Sequence, residues 1–446
     1  MIETLPTPFG LIRSGVAPDH QDVKSCQTDF TQVAQNDRFA FYGNVTVGGG
    51  ATSTHDAPTN IAVAELQQHY HAVVFCTGAT SDRMLGIPGE DLTGVHSARA
   101  VVNWYNSQPD FVNYPVDLSA PYSGTCVIIG QGNVAVDCAR ILSCCPSELK
   151  TSDIADYALT SLKNSNIQKV IVLGRRGHVQ ASFTMKELRE LTKLKGASFV
   201  VKEEDLDASM TQATEEEIKT GRVPKRMNKL LRTVAGRSVE KEDTELQLSF
   251  LRSPIEILPS TTNPNVVGSI RVSVNTLEGP VGQQRAVDTG ESEIIPCDIV
   301  LRSVGYLGVP LEGVAFNEAT ATISNAEDSA GRIVDPETGE VMRGMFTSGW
   351  AKRGPSGIVG TNIPCAKETV QSILEDAHSG VLPTMQSSSS SSSSSSLYTK
   401  MNAARVNWGD YLNIDQHEVE TGMVKGKVRD KMLSRTEMLQ VAKGSS

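Results

Sequence analysis

Between Val127 and Arg140 the chain reads VIIGQGNVAVDCAR. An aliphatic, β-branched run enters Gly130-Gln131-Gly132-Asn133-Val134-Ala135 and leaves it as a helical pattern. The spacing G-x-G-x-x-A suits a strand-to-helix turn closed tightly around a pyrophosphate. Gly130 permits the turn, Gly132 lets the backbone approach an anion, and Ala135 keeps the helix close to its strand. The helix N-terminus adds free N–H groups and the positive end of its dipole. The turn and the helix start are therefore the expected contact of a dinucleotide. The plain alternative is a tight turn that binds nothing.

The next strand pattern, KVIVLG, ends in Arg175-Arg176. A carboxylate there would hold the ribose hydroxyls of NAD. Two guanidiniums instead match a 2′-phosphate, which points to NADP(H); a solvated arginine pair is the competing reading. A second Gly-rich loop, SGWAKRGPSGIVGTNIPCAKE, places Trp350 ahead of Gly357-Ile358-Val359-Gly360-Thr361 and the last clear helical pattern. N–H groups at that helix start can face another anionic or carbonyl-bearing ligand. The opening MIETLPTPFGLIRSGVAPDH is rich in Gly and Pro and ends in Asp19-His20, the look of a site loop. Taken singly, His20 reads as a loop histidine and Glu187 as a surface residue.

Such turns need strands to open from. HAVVFCTGA (71–79), TCVIIGQG (125–132), KVIVLGRRG (169–177) and CDIVLRSVGY (297–306) are short, rich in Val and Ile, and punctuated by Gly. That is the pattern of strands buried on both faces of a parallel sheet. Helical patterns between them make the fold class α/β. The charged stretch 203–247 suits helices with solvated faces, and LQLSFLRS and SIRVSVNTLEG follow as shorter strands. The uninterrupted tract Ser387–Ser396 buries no apolar surface and is expected to be a disordered linker or loop insertion.

A chain of 446 residues holds more than one core. Its net charge of -10 and 5% aromatic content argue against a general nucleic-acid or membrane-surface binder. No run reaches the roughly 18 apolar residues of a membrane span, and no signal or transit pattern stands at the start. The eight cysteines form no C-x-x-C pair, so dithiol, zinc-ribbon and local iron–sulfur signatures are absent. They read as small buried hydrophobes in a reducing compartment, and no metal site is expected.

The ordered blocks PFGLIRSGVAPDH, FYGNVTVGG, GQGNVAVDCARIL, GRRG, FTMKELRE and SGWAKRGPSGIVGT resemble the adrenodoxin reductase family, from residue 2 to the C-terminal region. The resemblance implies two Rossmann-like dinucleotide-binding domains. An FAD domain is split into 1–95 and 309–446, with an NADP domain, 96–308, inserted. It further implies that Glu3, Leu11, Val47, Trp350, Gly357, Ile358 and Val359 border FAD. Arg175 and Arg176 would meet the 2′-phosphate of NADP, Gln131 to Val134 its pyrophosphate, and Glu187 and Gly357 would also touch it. His20 and Asp137 match a pair proposed to communicate protons or docking near the flavin, and Trp350 joins them as a catalytic residue. The implied activity is NADPH:adrenodoxin (ferredoxin) oxidoreduction in mitochondria, in the matrix or on the matrix face of the inner membrane.

Family members begin with a strand, a G-x-G-x-x-G loop and a helix that seat the FAD pyrophosphate. The sequence given starts at the equivalent of the following ribose carboxylate, Glu3, so the FAD domain is expected to be incomplete, as in a fragment. The implied partner is a small acidic 2Fe-2S ferredoxin. Pro224 suits a first helical turn, after which Lys225, Arg226, Lys229 and Arg232, with Arg222 just before, fall on one helical face. Lys186, Arg189 and Lys193 form a looser stripe. Two other readings compete: a non-catalytic NADPH-binding remnant, and an electron-entry module like that of glutamate synthase, which the lack of clustered cysteines disfavours.

Overall fold

The computed structural model describes residues 1–48, 59–237, 242–384, 393–403 and 405–444. Its largest sheet takes strands β3 (Val95–Ser97), β4 (Thr125–Ile129), β5 (Lys169–Leu173), β6 (Ala197–Val201), β7 (Thr244–Ser249) and β11 (Ile299–Arg302). Their order is β6-β7-β5-β4-β11-β3, with every neighbouring pair parallel. Side chains alternate across the sheet. Cys126, Ile128, Val170 and Val172 pack under helices, while Val127, Ile129, Ile171 and Leu173 meet Ile257, Val267, Ile270 and Val272 on the other face. Burial on both faces explains the near-continuous apolar runs, each such side chain contributing about 1.5–3 kcal/mol.

The second face is covered by an antiparallel sheet of β8 (Arg252–Pro259), β9 (Val267–Glu278) and β10 (Arg285–Pro296). Neither β8 nor β10 is legible in the sequence, and β10 is exposed along most of its length. The charged stretch does form helices: α3 (Glu203–Ala208), α4 (Gln212–Thr220) and α5 (Arg222–Ala235). Beside these lie α1 (Asn133–Ser143) and α2 (Met185–Leu191), which carry the nucleotide turn and its neighbours.

A smaller sheet joins distant parts of the chain. β2 (Val73–Phe75) runs parallel to β13 (Val341–Thr347), which pairs antiparallel with β12 (Arg332–Val334). β2 departs from the expected two-sided burial, because Val74 is 42% exposed at the sheet edge. Helix α6 (Asn362–His378) lies against this sheet through Cys365, Thr369, Ser372 and Asp376, and turns Ile363, Val370 and Leu374 outward. Strand β1 (Ile2–Glu3) pairs parallel with Tyr42–Gly43.

Three further sequence expectations change. Of the serine tract, 387–392 lie outside the described residues, but Ser393–Ser396 open helix α7 (Ser393–Ala403), anchored by buried Leu397 and Met401. The helix after Gly357 is not the last: α8 (Trp408–Lys425) and α9 (Arg435–Ala442) follow. Their pattern is hidden because α8 buries Glu418 completely, against Arg13 and Arg429. Of the eight cysteines, all free, Cys126, Cys138, Cys297 and Cys365 are buried, but Cys76 is exposed at the end of β2.

A buried ion cluster ties segments near both ends of the chain to Asp153, in the connection between the helices Pro146–Leu149 and Asp156–Lys163. Asp153 accepts from Lys24 Nζ at 2.7 Å and lies 2.9 Å from Lys431 Nζ. Burial alone would raise its carboxyl, but Lys431 and Lys24 outweigh that and hold it at about 2. An unfolded aspartate titrates near 4, so the native state binds fewer protons between these values. The stability this carboxylate contributes is therefore present above about pH 4 and lost as pH falls toward about 2. Asp153→Asn is expected to cost roughly 3 kcal/mol at neutral pH, by stranding two ammonium groups, and to flatten that acid limb. Urea unfolding at a series of pH values measures both.

Candidate nucleotide and flavin site

Strand β4 stops at Ile129 because Gly130 turns the chain with φ +117, and a Cβ there would lie 2.2 Å from Ser303 O. Glycine is required on both counts. Gly132 differs: a Cβ on it would meet nothing within 4 Å, leaving a bare backbone approach at the start of α1. The first amides of that helix have no intrahelical acceptor. The Gln131 side chain is taken up inward, its Nε2 donating to Ser249 O at 2.9 Å and its amide packed over Gly174. Because Gly130 N donates to Leu173 O at 2.9 Å, the end of β5 lies beside the turn. Arg175 lies two residues beyond that contact and is exposed; Arg176 is half-buried, with Nη2 donating to Gln180 O at 3.1 Å.

Asn133 links the turn to the next helix. Its Oδ1 accepts from Thr184 N at 2.9 Å, and Thr184 caps α2 through Glu187 N. That helix carries Glu187 and Glu190 toward His20. His20 is buried, with Nε2 2.8 Å from Glu190 Oε2 and 3.9 Å from Glu187 Oε2, and Nδ1 3.9 Å from Asp137 Oδ1. The structure thus brings His20, Asp137 and Glu187 together, but the direct partner of His20 is Glu190. Glu187 is no surface residue: its side chain is 12% exposed, and Oε2 has no hydrogen-bond partner among the described residues. Buried Arg140 answers the accumulated charge, with Nη2 2.5 Å from Asp137 Oδ1 and Nε 3.8 Å from Glu190, and it also pairs with Asp19.

Burial pushes the Asp137 carboxyl up to about 7; His20 opposes the shift, while Glu187 and Glu190 add to it. Burial likewise raises Glu187. The cluster can hold a proton near neutrality. Sequence reasoning missed Glu190 and Arg140. Each stands three residues after a singled-out carboxylate, Glu187 or Asp137, and so on the same helical face. That spacing was the available signal.

The second loop starts at Gly349, whose φ of +67 precedes the short helix Trp350–Arg353. Trp350 Nε1 is buried with no hydrogen-bond partner among the described residues, and its ring lies 5.8 Å from that of Tyr306. Gly357 has φ +79, and Gly357 and Ile358 are exposed. Ser303 touches the nucleotide turn, and three residues on Tyr306 packs against Trp350, so both loops share one wall. Among the other expected residues, Glu3 Oε1 accepts from Leu5 N at 3.1 Å, Leu11 is 37% exposed, and Val47 is half-buried beside the smaller sheet's core.

Helix α5 buries Met227, Leu231 and Val234 and leaves Arg222, Lys225, Arg226 and Lys229 exposed. Arg232 is drawn sideways onto Asp207 at 2.5 Å. In the looser stripe Lys186 pairs with Asp22 at 2.8 Å, while Arg189 and Lys193 are exposed. Among the described residues no helix is long and apolar enough to cross a membrane.

No protein-family model matches the chain. It is 40% identical over 450 residues to the mitochondrial NADPH:adrenodoxin oxidoreductase of Arabidopsis thaliana, covering 99% of this chain and 89% of that protein. The Mus musculus protein of the same name is 40% identical over 444 residues, covering 97% and 84%. NADPH-ferredoxin reductase FprA of Mycobacterium tuberculosis is 39% identical over 451 residues, covering 100% and 92%. The solved structure of FprA in complex with NADPH superposes with a TM-score of 0.86 at 37% identity, over 100% of this chain and 92% of that one.

Proposed function

Because the chain belongs to the NADPH:adrenodoxin oxidoreductase family, we propose that it is an NADPH-dependent flavoprotein reductase that passes electrons to a small 2Fe-2S ferredoxin. One observation carries the reading: the turn after β4 and the Trp350 loop meet along the wall from Ser303 to Tyr306. The residues present fit NADP. Gly132 leaves the backbone bare, and the amides from Gln131 to Val134 hold the pyrophosphate while Arg175 and Arg176 take the 2′-phosphate. They also fit the ring end of FAD. The orphaned Trp350 Nε1 and the open Gly357 loop border it with Ile358 and Val359, and Glu3, Leu11 and Val47 line the rest. The G-x-G-x-x-G unit that seats the FAD pyrophosphate in this family does not occur among the residues given.

Bound FAD supplies what no side chain has, the acceptance of a hydride from NADPH and the release of electrons singly. The chain's own residues orient and shield. Trp350 and the Gly357 loop fix the ring end and keep water away, and Glu187 and Gly357 border the reduced nucleotide. The buried carboxyls of Asp137 and Glu187 hold a proton beside this wall, with His20 and Glu190 facing them and Arg140 keeping the cluster's charge in balance. The exposed face of α5 (Arg222, Lys225, Arg226 and Lys229, with Arg232 at its edge) is the docking surface for an acidic partner. The names of the relatives lend no support to a non-catalytic remnant. Mitochondrial placement draws on the plant and animal relatives, and a bacterial relative of similar identity weighs against it.

The test is turnover. Supplied with FAD, NADPH, a plant-type or adrenodoxin-type ferredoxin and cytochrome c, the protein should reduce the cytochrome only when the ferredoxin is present. Cytochrome reduction independent of any ferredoxin would remove the partner from this reading.

A further inference from the structure

The arginine pair does not stand on its own strand alone. Its backbone is gripped from the far side by residues of β7, β8, β9 and the link between β7 and β8, none of which belongs to the nucleotide turn. Gly174 N donates to Ser249 O at 2.9 Å and Gly174 O accepts from Arg252 N at 2.9 Å. Arg176 O accepts from Leu251 N at 3.2 Å. Between them, Arg175 O accepts from the side-chain amide of Asn275 at 2.9 Å.

Asn275 is 5% exposed, and the rest of its capacity is spent inside the protein. Nδ2 also donates to Ser253 Oγ at 2.8 Å, Oδ1 accepts from Ser273 Oγ at 3.0 Å, and the backbone N donates to Leu251 O at 2.9 Å. Two irregularities aim it there. The β9–β10 register shifts between Ser273 and Asn275, as at a bulge that redirects a side chain. Leu251, buried to 1% exposure, adopts φ +58, a conformation a leucine holds only when its surroundings impose it.

The geometry points to Asn275 as a positioning residue for the 2′-phosphate: it fixes the Arg175 backbone so that both guanidiniums are presented in advance, and thereby sets the preference for NADP(H) over NAD(H). An exposed arginine on a free loop would spend side-chain and backbone entropy on each binding event. Tying its carbonyl into a buried network removes the backbone part of that cost. This inference rests on the NADP assignment made above.

Fragments of the nucleotide test it without flavin or turnover. Calorimetric titration compares 2′,5′-ADP, which carries the 2′-phosphate, with 5′-AMP, which does not. For Asn275→Ala the Kd for 2′,5′-ADP should rise roughly three- to tenfold, the worth of one hydrogen bond, while the Kd for 5′-AMP stays within about twofold. Ser253→Ala, which removes only a side partner of the amide, should leave the ratio near that of the parent. If the alanine chain does not fold, Asn275→Ser keeps a hydroxyl in the cluster and should show the same selective loss. Equal weakening of both ligands, or no change in either, would overturn the role of Asn275. A parent chain that binds both fragments equally would overturn the 2′-phosphate assignment itself, and this inference with it.

Discussion

Replacing Arg175 and Arg176 together by alanine is expected to raise the KM for NADPH by on the order of 100-fold or more and to leave the KM for NADH nearly unchanged. The size follows from two charge-assisted contacts worth about 1.5–3 kcal/mol each, with about 1.4 kcal/mol to a factor of ten. Selectivity follows from geometry, since the pair begins two residues past Leu173, where β5 meets the Gly130 turn. NADH has no 2′-phosphate to lose. Steady-state kinetics with both nucleotides measure the ratio, and equal effects on both would remove the assignment.

Charge reversal on α5 gives the second large effect. Lys225→Glu with Lys229→Glu should lower ferredoxin-mediated cytochrome c reduction about tenfold or more at low ionic strength, where steering is strongest. Direct reduction of ferricyanide by the same variant should hold. Both lysines are exposed, and the helix is anchored by Met227, Leu231 and Val234 on its opposite side, so the fold does not depend on them. The deficit should shrink as salt is added. A parallel fall in both activities would place the patch outside the docking surface.

What could be read in advance was whatever backbone geometry imposes on residue type. Gly130 must be glycine because Ser303 O leaves no space for a Cβ, and such a demand shows as a motif. The core strands show because burial on both faces admits little but Val, Ile and Leu. Contacts between distant segments leave no such trace. Nothing near Arg175 announces Asn275, 100 residues away, whose amide holds its carbonyl. Glu418 misleads outright: a glutamate at zero exposure reads as solvent-facing until Arg13 and Arg429 are seen beside it. The same holds for His20, buried by acidic neighbours that a helix far along the chain supplies. β10 escapes for the opposite reason, since most of it is exposed and its charged residues mask any strand period.

The most direct test of NADPH-to-flavin transfer is a single turnover. The purified protein is held with excess FAD and mixed without oxygen with NADPH or NADH. The flavin is expected to lose its visible absorbance band far faster with NADPH than with NADH, and far faster than free FAD does with NADPH alone. Bleaching by NADPH no faster than in the absence of the protein, or equal rates with the two nucleotides, would contradict NADPH-to-flavin transfer.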